Sequence, residues 1–565
     1  TLIEADNYHA LQLLEYLYAE KVDCIYIDPP YNTGAKDWKY NNDYVDGNDA
    51  YRHSKWLAWM ERRLKLAKML LNPEDSVLIV TIDEKEYLRL GLLLEQTFPG
   101  ETIQMVVDVI SSHGSWRDNQ FARCNEYIYY VFIGDANTCR ISDDMLHDAK
   151  HNTVRWDGLV RRGATGKRSA RPNLFYPIFF RKTDGKYAGV GKPLPLEQDR
   201  FENPVPDGCF AVYPIASNGD EGAWGASRET FLKKVAKGYI RFGKWIPGSE
   251  VRSVHQLQSG PIKDIESGKI PVLGHDDDGA LILGNYDKTV QPMSVWFRSS
   301  HTAGDHGASM LRNVIPGHAF PYPKSLYAVE DALRFFVADK PNALVLDFFS
   351  GSGTTAHAVM RLNHQDGGRR RCISVTNNEV SVDEEKHLTS QSFRQGDPEW
   401  EALGICDYVT KPRIKAAITG ITPDGDPIKG DYKFTDEFPI SDGFDENAIF
   451  FDLTYEEPDL VELGGAFERI APLLWMRAGC RGRIIGHETP SFDVADSYAV
   501  LFDYPHLNDL VSDLRGNDEV GTVFVVTDDE HRYAAARRAL PGREVVRLYE
   551  SYLRSFQIAS EGAIS

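Results

Sequence analysis

The segment "DCIYIDPPYNTG" ends a short apolar strand in Asp28, Pro29, Pro30 and Tyr31. A plain turn needs one proline or a glycine; here a carboxylate, a rigid backbone and an aromatic ring are offered together. Much later, "VLDFFSGSGTTA" sets Gly351, Gly353, Thr354 and Thr355 between a strand and a helix. Glycines let the main chain approach a ligand closely, and a helix N-terminus presents free N–H groups. No lysine follows the last glycine as in a Walker loop, and the spacing is not the GxGxxG of dinucleotide sites. The expected ligand therefore lacks a triphosphate and sits at the carboxyl ends of the strands. Taken singly, each segment also fits a structural role: a turn with a stacked tyrosine, or ordinary strand-to-helix packing.

Both segments lie on alternating strands and helices. Residues 22–27 read as a buried strand. Residues 56–71 carry Trp56, Met60, Leu64, Ala67 and Leu71 at helical spacing and are closed by Asn72-Pro73. "SVLIVTID" and "EYIYYVFIG" read as further strands, with a helix over 87–98 between them. This alternation predicts a doubly wound α/β sheet. The rhythm is lost from 136 to 315 and resumes at "NALVLDFFSGSGTTAHAVMRLN". "CDYVTKPRIKAAITG" reads as a helix leaving the sheet, and an acidic, turn-rich stretch follows. The expected organisation is a sheet domain in two halves, 1–135 and 316–405, around an insert over 136–315. An acidic linker over 406–463 and a small α/β domain over 464–565 complete it.

Composition excludes several classes. No apolar run approaches the about 20 residues that span a bilayer, so a membrane protein is not expected. Seven scattered cysteines form no CxxC pair, which signals neither zinc nor disulfides and suits a reducing, cytoplasmic setting. His151, His255, His301 and His306 lack ligand spacing and read as ordinary surface or turn residues; no metal is expected. No leader is visible, and Thr1 falls inside what reads as a strand, so a natural start upstream is expected. The net charge of −20 is uneven. Residues 150–252 hold 19 Lys or Arg against 10 Asp or Glu, whereas 424–463 hold 2 against 13. Within the basic insert, Arg161, Arg162, Lys167, Arg168 and Arg171, with Trp156, Phe175 and Tyr176 nearby, are candidates to meet nucleic-acid phosphates and base edges. Any one of them could equally be a solvated surface charge. Ile178, Phe179 and Phe180 read as core.

A strand-end DPPY and a strand-end FSGSG in one α/β unit resemble the amino-group DNA methyltransferases that use S-adenosylmethionine. In that family the glycine loop holds the cofactor and DPPY holds a flipped-out base. Here DPPY comes first, by more than 300 residues, with the irregular insert between. That order resembles the β class, in which a target recognition domain separates the two halves. "LIEADNYHALQLL", "WLAWMERRLKLAKMLL", "NEYIYYVF", "RPNLFYPI" and "FPYPKSLYAVEDALRFF" are similar to segments of type III restriction-system modification subunits. The resemblance covers residues 2 to 420 and leaves the C-terminal stretch unassigned.

The resemblance implies a Rossmann-like methyltransferase sheet and a site-specific adenine-N6 DNA methyltransferase. Asp28 and the Pro29 carbonyl would accept the two amine protons, Pro30 would hold that carbonyl rigid, and Tyr31 would stack on the base. Asp347, Phe349, Gly351, Gly353 and Thr354 would line the cofactor. Lys324 would approach its methionine end, and Asp6 and Asn7 its adenine. Glu379 would bond the ribose hydroxyls, although "SVTNNEVS" departs from the commoner pattern by its two asparagines. Double-stranded DNA, a homodimer and a helicase-nuclease subunit are the implied partners, in a bacterial restriction-modification or phage-defence system acting at the nucleoid. The acidic stretch and the C-terminal domain would be docking surfaces, or else extensions that add stability. A cytosine-N4 enzyme would share this chemistry but more often carries Ser in place of Asp28. A methyltransferase of RNA or protein fits the basic insert less well. A catalytically silent DNA-recognition subunit is the rival of another class, against which both intact motifs speak.

Overall fold

Runs of Val, Ile and Leu bounded by turn residues become the strands of one nine-stranded sheet. These are β1 (Leu2–Glu4), β2 (Cys24–Ile27), β3 (Asp75–Ile82), β4 (Thr102–Val109) and β5 (Asn125–Gly134). After the insert come β6 (Val295–Trp296), β7 (Leu344–Asp347), β8 (Arg371–Thr376) and β9 (Phe450–Asp452). The order across the sheet is β6-β4-β5-β3-β2-β7-β8-β1-β9. All neighbours run parallel except β5, which is antiparallel to both β3 and β4. The computed structural model describes the chain apart from residues 32–50, 112, 115–118, 142, 147–153, 162–165, 217–218, 285–288, 319, 455–465 and 550–565.

The strands carrying the two motifs, β2 and β7, are neighbours. Leu346 pairs with Ile25, so the glycine loop starts level with Asp28. Both strands are buried along their whole length, as expected where helices cover both faces of a parallel sheet. The helices that flank the site are Asn7–Tyr18, Arg52–Leu70, Leu326–Val337 and Thr354–Asp366.

Two compact units make up the chain. One is Thr1–Arg140 with Asp144–His147 and Gln291–Ser565; the other is Ile141–Asp143 with Asp148–Val290. The insert is thus shorter than the expected 136–315: β6 pairs with β4, and that pairing holds the stretch after Gln291 to the sheet. Inside the insert, Ile178–Arg181 is flanked by Tyr187–Val190 and Cys209–Val212 in one three-stranded sheet. Val254–Gln256 lies between Ile240–Phe242 and Asp157–Gly158 in another. Tyr176, Ile178, Phe180, Trp224 and Phe231 fill the core between them.

Two expectations for the chain after 405 need correction. The helix Lys411–Thr419 does not leave the sheet domain: Thr410 and Arg413 hydrogen-bond to the glycine loop. Nor is 424–446 a free linker. Its Tyr432 is buried and bonds His357, the Asp436 carbonyl accepts from Arg361, and Glu446 accepts from Asn363. All three partners belong to Thr354–Asp366, the helix that follows the glycine loop. The physical reason is aromatic: Tyr432, Phe438 and Phe444 pack together against that helix, with the acids outward or paired. Further on, Phe492–Val494, Tyr498–Leu501, Thr522–Val526 and Glu544–Leu548 form a separate four-stranded sheet.

Candidate active site

Asp28 stands just past the end of β2, and its Oδ1 is crowded with donors. The Tyr31 hydroxyl donates to it over 2.6 Å, as does the Thr81 hydroxyl. Thr81 arrives there by register: β3 pairs Val80 with Ile27, which sets Thr81 opposite Asp28. The Lys324 ammonium lies 3.4 Å from the same oxygen. Lys324 also donates to the Tyr31 hydroxyl and to the Glu126 carboxylate. Burial works against the Lys324 charge, but Asp28 and Glu126 on either side prevail and hold its pKa above the usual lysine value. Burial and then the repulsion of Asp28 push the Glu126 carboxyl up, against the pull of Lys324. The chain after Pro30 is fixed by the Trp56 indole N–H, which donates to the Pro30 carbonyl at 2.8 Å.

Tyr31 differs from expectation. Its ring is only 9% exposed, under the Lys324 ammonium, with Nζ 4.9 Å from the ring centre. Burial, with Asp28 and Glu126 close by, holds its phenol protonated well beyond the usual range. It is an orienting donor to Asp28 here, not an open stacking face. A cavity of about 340 Å³ adjoins this cluster, lined among others by Tyr26, Thr81, Glu126, Tyr322 and Lys324. The ring that this cavity offers to solvent is Tyr322, 70% exposed and held at φ +54° just before Pro323.

The glycine loop is braced by Asp347. Its Oδ1 accepts the Phe349 main-chain N–H at 2.9 Å and its Oδ2 the Thr355 hydroxyl at 2.5 Å. Burial pushes the Asp347 carboxyl up to about 7, against the pull of these two donors. Gly351 and Gly353 take φ values of +48° and +77°, which side-chain-bearing residues rarely adopt. Phe349 is buried against Trp59. Thr354 opens the helix, its hydroxyl accepting from Arg413. Asp6 caps the helix Asn7–Tyr18 by accepting the Tyr8 N–H, and Asn7 donates to the Phe348 carbonyl while accepting from Arg63. Glu379 lies past the end of β8, its carbonyl taking the Ile405 N–H. Two buried oxygens at the carboxyl ends of β7 and β8, Ser350 Oγ and Asn377 Oδ1, have no hydrogen-bond partner among the described residues. A ligand bearing hydroxyl and amine groups would satisfy them.

Asp28, Tyr31 and Lys324 therefore meet, with Asp347 and the glycine loop on the next strand. Sequence reasoning missed Thr81, Glu126, Trp56, Ser350, Asn377 and Arg413. It also misread His301, which is fully buried between Asp108 and Asp331 at 2.7 and 3.2 Å. In the insert, Arg161, Lys167 and Arg171 are exposed, whereas Arg168 is not. Arg168 is 6% exposed, 2.6 Å from Glu221 and stacked on Phe175, so it braces the insert and is withdrawn as a DNA contact. Phe175 and Tyr176 are likewise core. Arg162 lies outside the described residues. Among the described residues one group could in principle hold a metal: Glu4, Cys406 and Asp407. The Lys411 ammonium stands among them, 2.7 Å from Glu4 and 2.6 Å from Asp407. No described helix is long and apolar enough to cross a membrane.

A DNA methylase family model matches residues 22–391. The chain belongs to that DNA methylase family. It is 28% identical over 428 residues to the type III restriction-modification enzyme EcoPI Mod subunit of Escherichia phage P1, covering 70% of this chain and 59% of that subunit. It is 28% identical over 385 residues to the type II methyltransferase M.KpnI of Klebsiella pneumoniae, covering 66% and 79%. Among solved structures, the M1.HpyAVI–SAM complex aligns with 69% of this methylase and 98% of its own chain, at 12% identity and a TM-score of 0.28. The methylase thus spans about six tenths of the phage subunit it matches.

Proposed function

We propose that this chain methylates the N6 amine of a flipped-out adenine in double-stranded DNA, with S-adenosylmethionine as donor. The observation that carries the reading is the meeting of Asp28 and the glycine loop on adjacent strands, with the Asp28 carboxylate oriented by Thr81 and Tyr31. The family match and the likeness to a Mod subunit support it. The cofactor, when bound, supplies an electrophilic methyl sulfonium. Gly351, Gly353 and Phe349 would hold it, with Ser350, Asn377 and Glu379 offering acceptors to its hydroxyl and amine groups. Asp347, Asp6 and Asn7, whose polar atoms are engaged within the protein, would shape the site rather than hold the ligand.

The exocyclic amine is a weak nucleophile because its lone pair conjugates into the ring. Asp28 and the Pro29 carbonyl accept its two N–H groups and favour a more tetrahedral nitrogen. Pro30 keeps that carbonyl in place and is itself tied to Trp56. The Lys324 ammonium beside Asp28 helps hold the carboxylate as a fixed acceptor, and positioning and preorganisation then carry the rate. Nitrogen becomes acidic only as the methyl arrives, and its proton passes to Asp28 or to water. Tyr322, the exposed ring at the cavity, is where the extruded base would stack. Arg161, Lys167 and Arg171 of the insert would meet the DNA backbone.

The chain would serve as a modification subunit in a bacterial restriction-modification or phage-defence system, as a homodimer paired with a helicase-nuclease subunit. Incubation with methyl-labelled S-adenosylmethionine and host DNA, followed by sequencing that detects modified bases, tests the whole reading. Label on adenine N6 within one motif is expected. Label on cytosine N4, or none from protein that binds DNA, overturns the adenine assignment or the catalytic one.

A further inference from the structure

The glycine loop is held from beneath by residues beyond the family match, which ends at 391. The Thr410 hydroxyl donates to the Gly351 carbonyl at 2.6 Å. A Cβ on Gly353 would stand 3.3 Å from Thr410 and 3.6 Å from Ile414, so the helix Lys411–Thr419 lies directly against the loop. From that helix, wholly buried Arg413 sends one guanidinium nitrogen to three acceptors. These are the Ser352 carbonyl at 3.3 Å, the Ser352 hydroxyl at 3.0 Å and the Thr354 hydroxyl at 2.7 Å. Among the described residues its buried Nε and Nη2 find no partner, and no carboxylate forms an ion pair with it.

A buried guanidinium ordinarily sits in a carboxylate fork. This one stands instead at the N-terminus of Thr354–Asp366, where the helix dipole is also positive and repels it. Its placement is electrostatically costly and serves no ion pair. What it does is fix two hydroxyls of the loop.

We propose that Arg413 is a positioning residue of the cofactor site: by engaging Ser352 and Thr354 it fixes the loop in the conformation that receives S-adenosylmethionine. This rests on the cofactor reading above and extends it to a residue outside the matched family region. Removing a charge-assisted hydrogen-bond donor of this kind weakens what it organises by roughly tenfold or more.

The test is calorimetric. The dissociation constant for S-adenosylmethionine is measured for wild type, Arg413→Lys, Arg413→Met, Thr354→Val and the double variant Arg413→Met with Thr354→Val. Arg413→Met is expected to raise it at least about tenfold, Arg413→Lys to restore part of the loss, and the double variant to match Arg413→Met alone because both act on one contact. DNA affinity should be unchanged, and kcat at saturating cofactor should stay within about threefold, a KM effect that general destabilisation would not give. An unchanged cofactor affinity in Arg413→Met, or additive losses in the double variant, overturns the proposal. If Arg413→Met does not fold, Thr354→Val and Ser352→Ala decide the matter, since unchanged affinity in both overturns it. Failure of the wild-type protein to bind S-adenosylmethionine would instead sink the cofactor reading on which this rests.

Discussion

Asp28 is an acceptor whose orientation is set by its neighbours, and the consequences can be separated residue by residue. Asp28→Ala should abolish methyl transfer while DNA affinity, measured by filter binding, changes little. Thr81→Val and Tyr31→Phe each remove one donor from Oδ1, and each should lower kcat about tenfold at unchanged DNA affinity. Tyr322→Ala should remove the rise in 2-aminopurine fluorescence that reports an extruded base, whereas Tyr31→Phe should leave that signal in place. The DPPY tetrapeptide was legible because acid, prolines and ring are contiguous in the chain. Thr81 was not legible as a partner, because only the register of β3 on β2 brings it to Asp28. Glu126 was hidden likewise, in a segment whose β residues read only as a strand. The setting of the Tyr31 ring was not legible, since its burial under Lys324 depends on a residue almost 300 positions away.

At the scale of elements, the buried His301 is a clamp. It joins β4, through Asp108, to the helix Leu326–Val337, through Asp331. Burial opposes its charge, but the two carboxylates outweigh that and raise its pKa from 6.5 to about 10. A histidine raised on folding contributes stability that is complete below its unfolded pKa and fades as pH rises through the folded one. The melting temperature of wild type should therefore exceed that of His301→Gln most at pH 6, and the gap should narrow steadily towards pH 10. Tyr432→Ala should cost about 3 kcal/mol or more, read by denaturant unfolding, because it removes the buried ring that seats 424–446 on the helix Thr354–Asp366. Strong apolar periodicity made most strands and helices of the sheet readable. β4 escaped because Thr102, Gln104 and Asp108 break its apolar run. The helix Lys411–Thr419 was seen as a helix but sent the wrong way, since periodicity gives an element's face and not its neighbour.

Across the whole molecule, charge is local and its meaning depends on exposure. Replacing Arg161, Lys167 and Arg171 together by Gln should weaken DNA binding and reduce the dependence of log K on log salt by about three if each meets a phosphate. Arg168→Ala should behave differently, lowering the melting temperature because it leaves Glu221 only its more distant partner Arg200 and uncovers Phe175. The sequence counted these four residues alike; only folding separates the buried one from the rest. The split of the sheet by a basic insert was readable from the loss of rhythm, while its far boundary was missed because β6 is only two residues long.

The insert also closes on itself. Ile141 and Val290 exchange main-chain hydrogen bonds at 3.2 and 2.7 Å, so its first and last residues stand side by side. A module whose ends meet can be excised or traded without stretching its host. Grafting the corresponding stretch of a relative in place of 148–290, which keeps Asp144–His147 with the sheet unit, should leave the nine-stranded sheet intact. Such a cassette is exchangeable in principle while the strands that carry Asp28 and the glycine loop stay as they are.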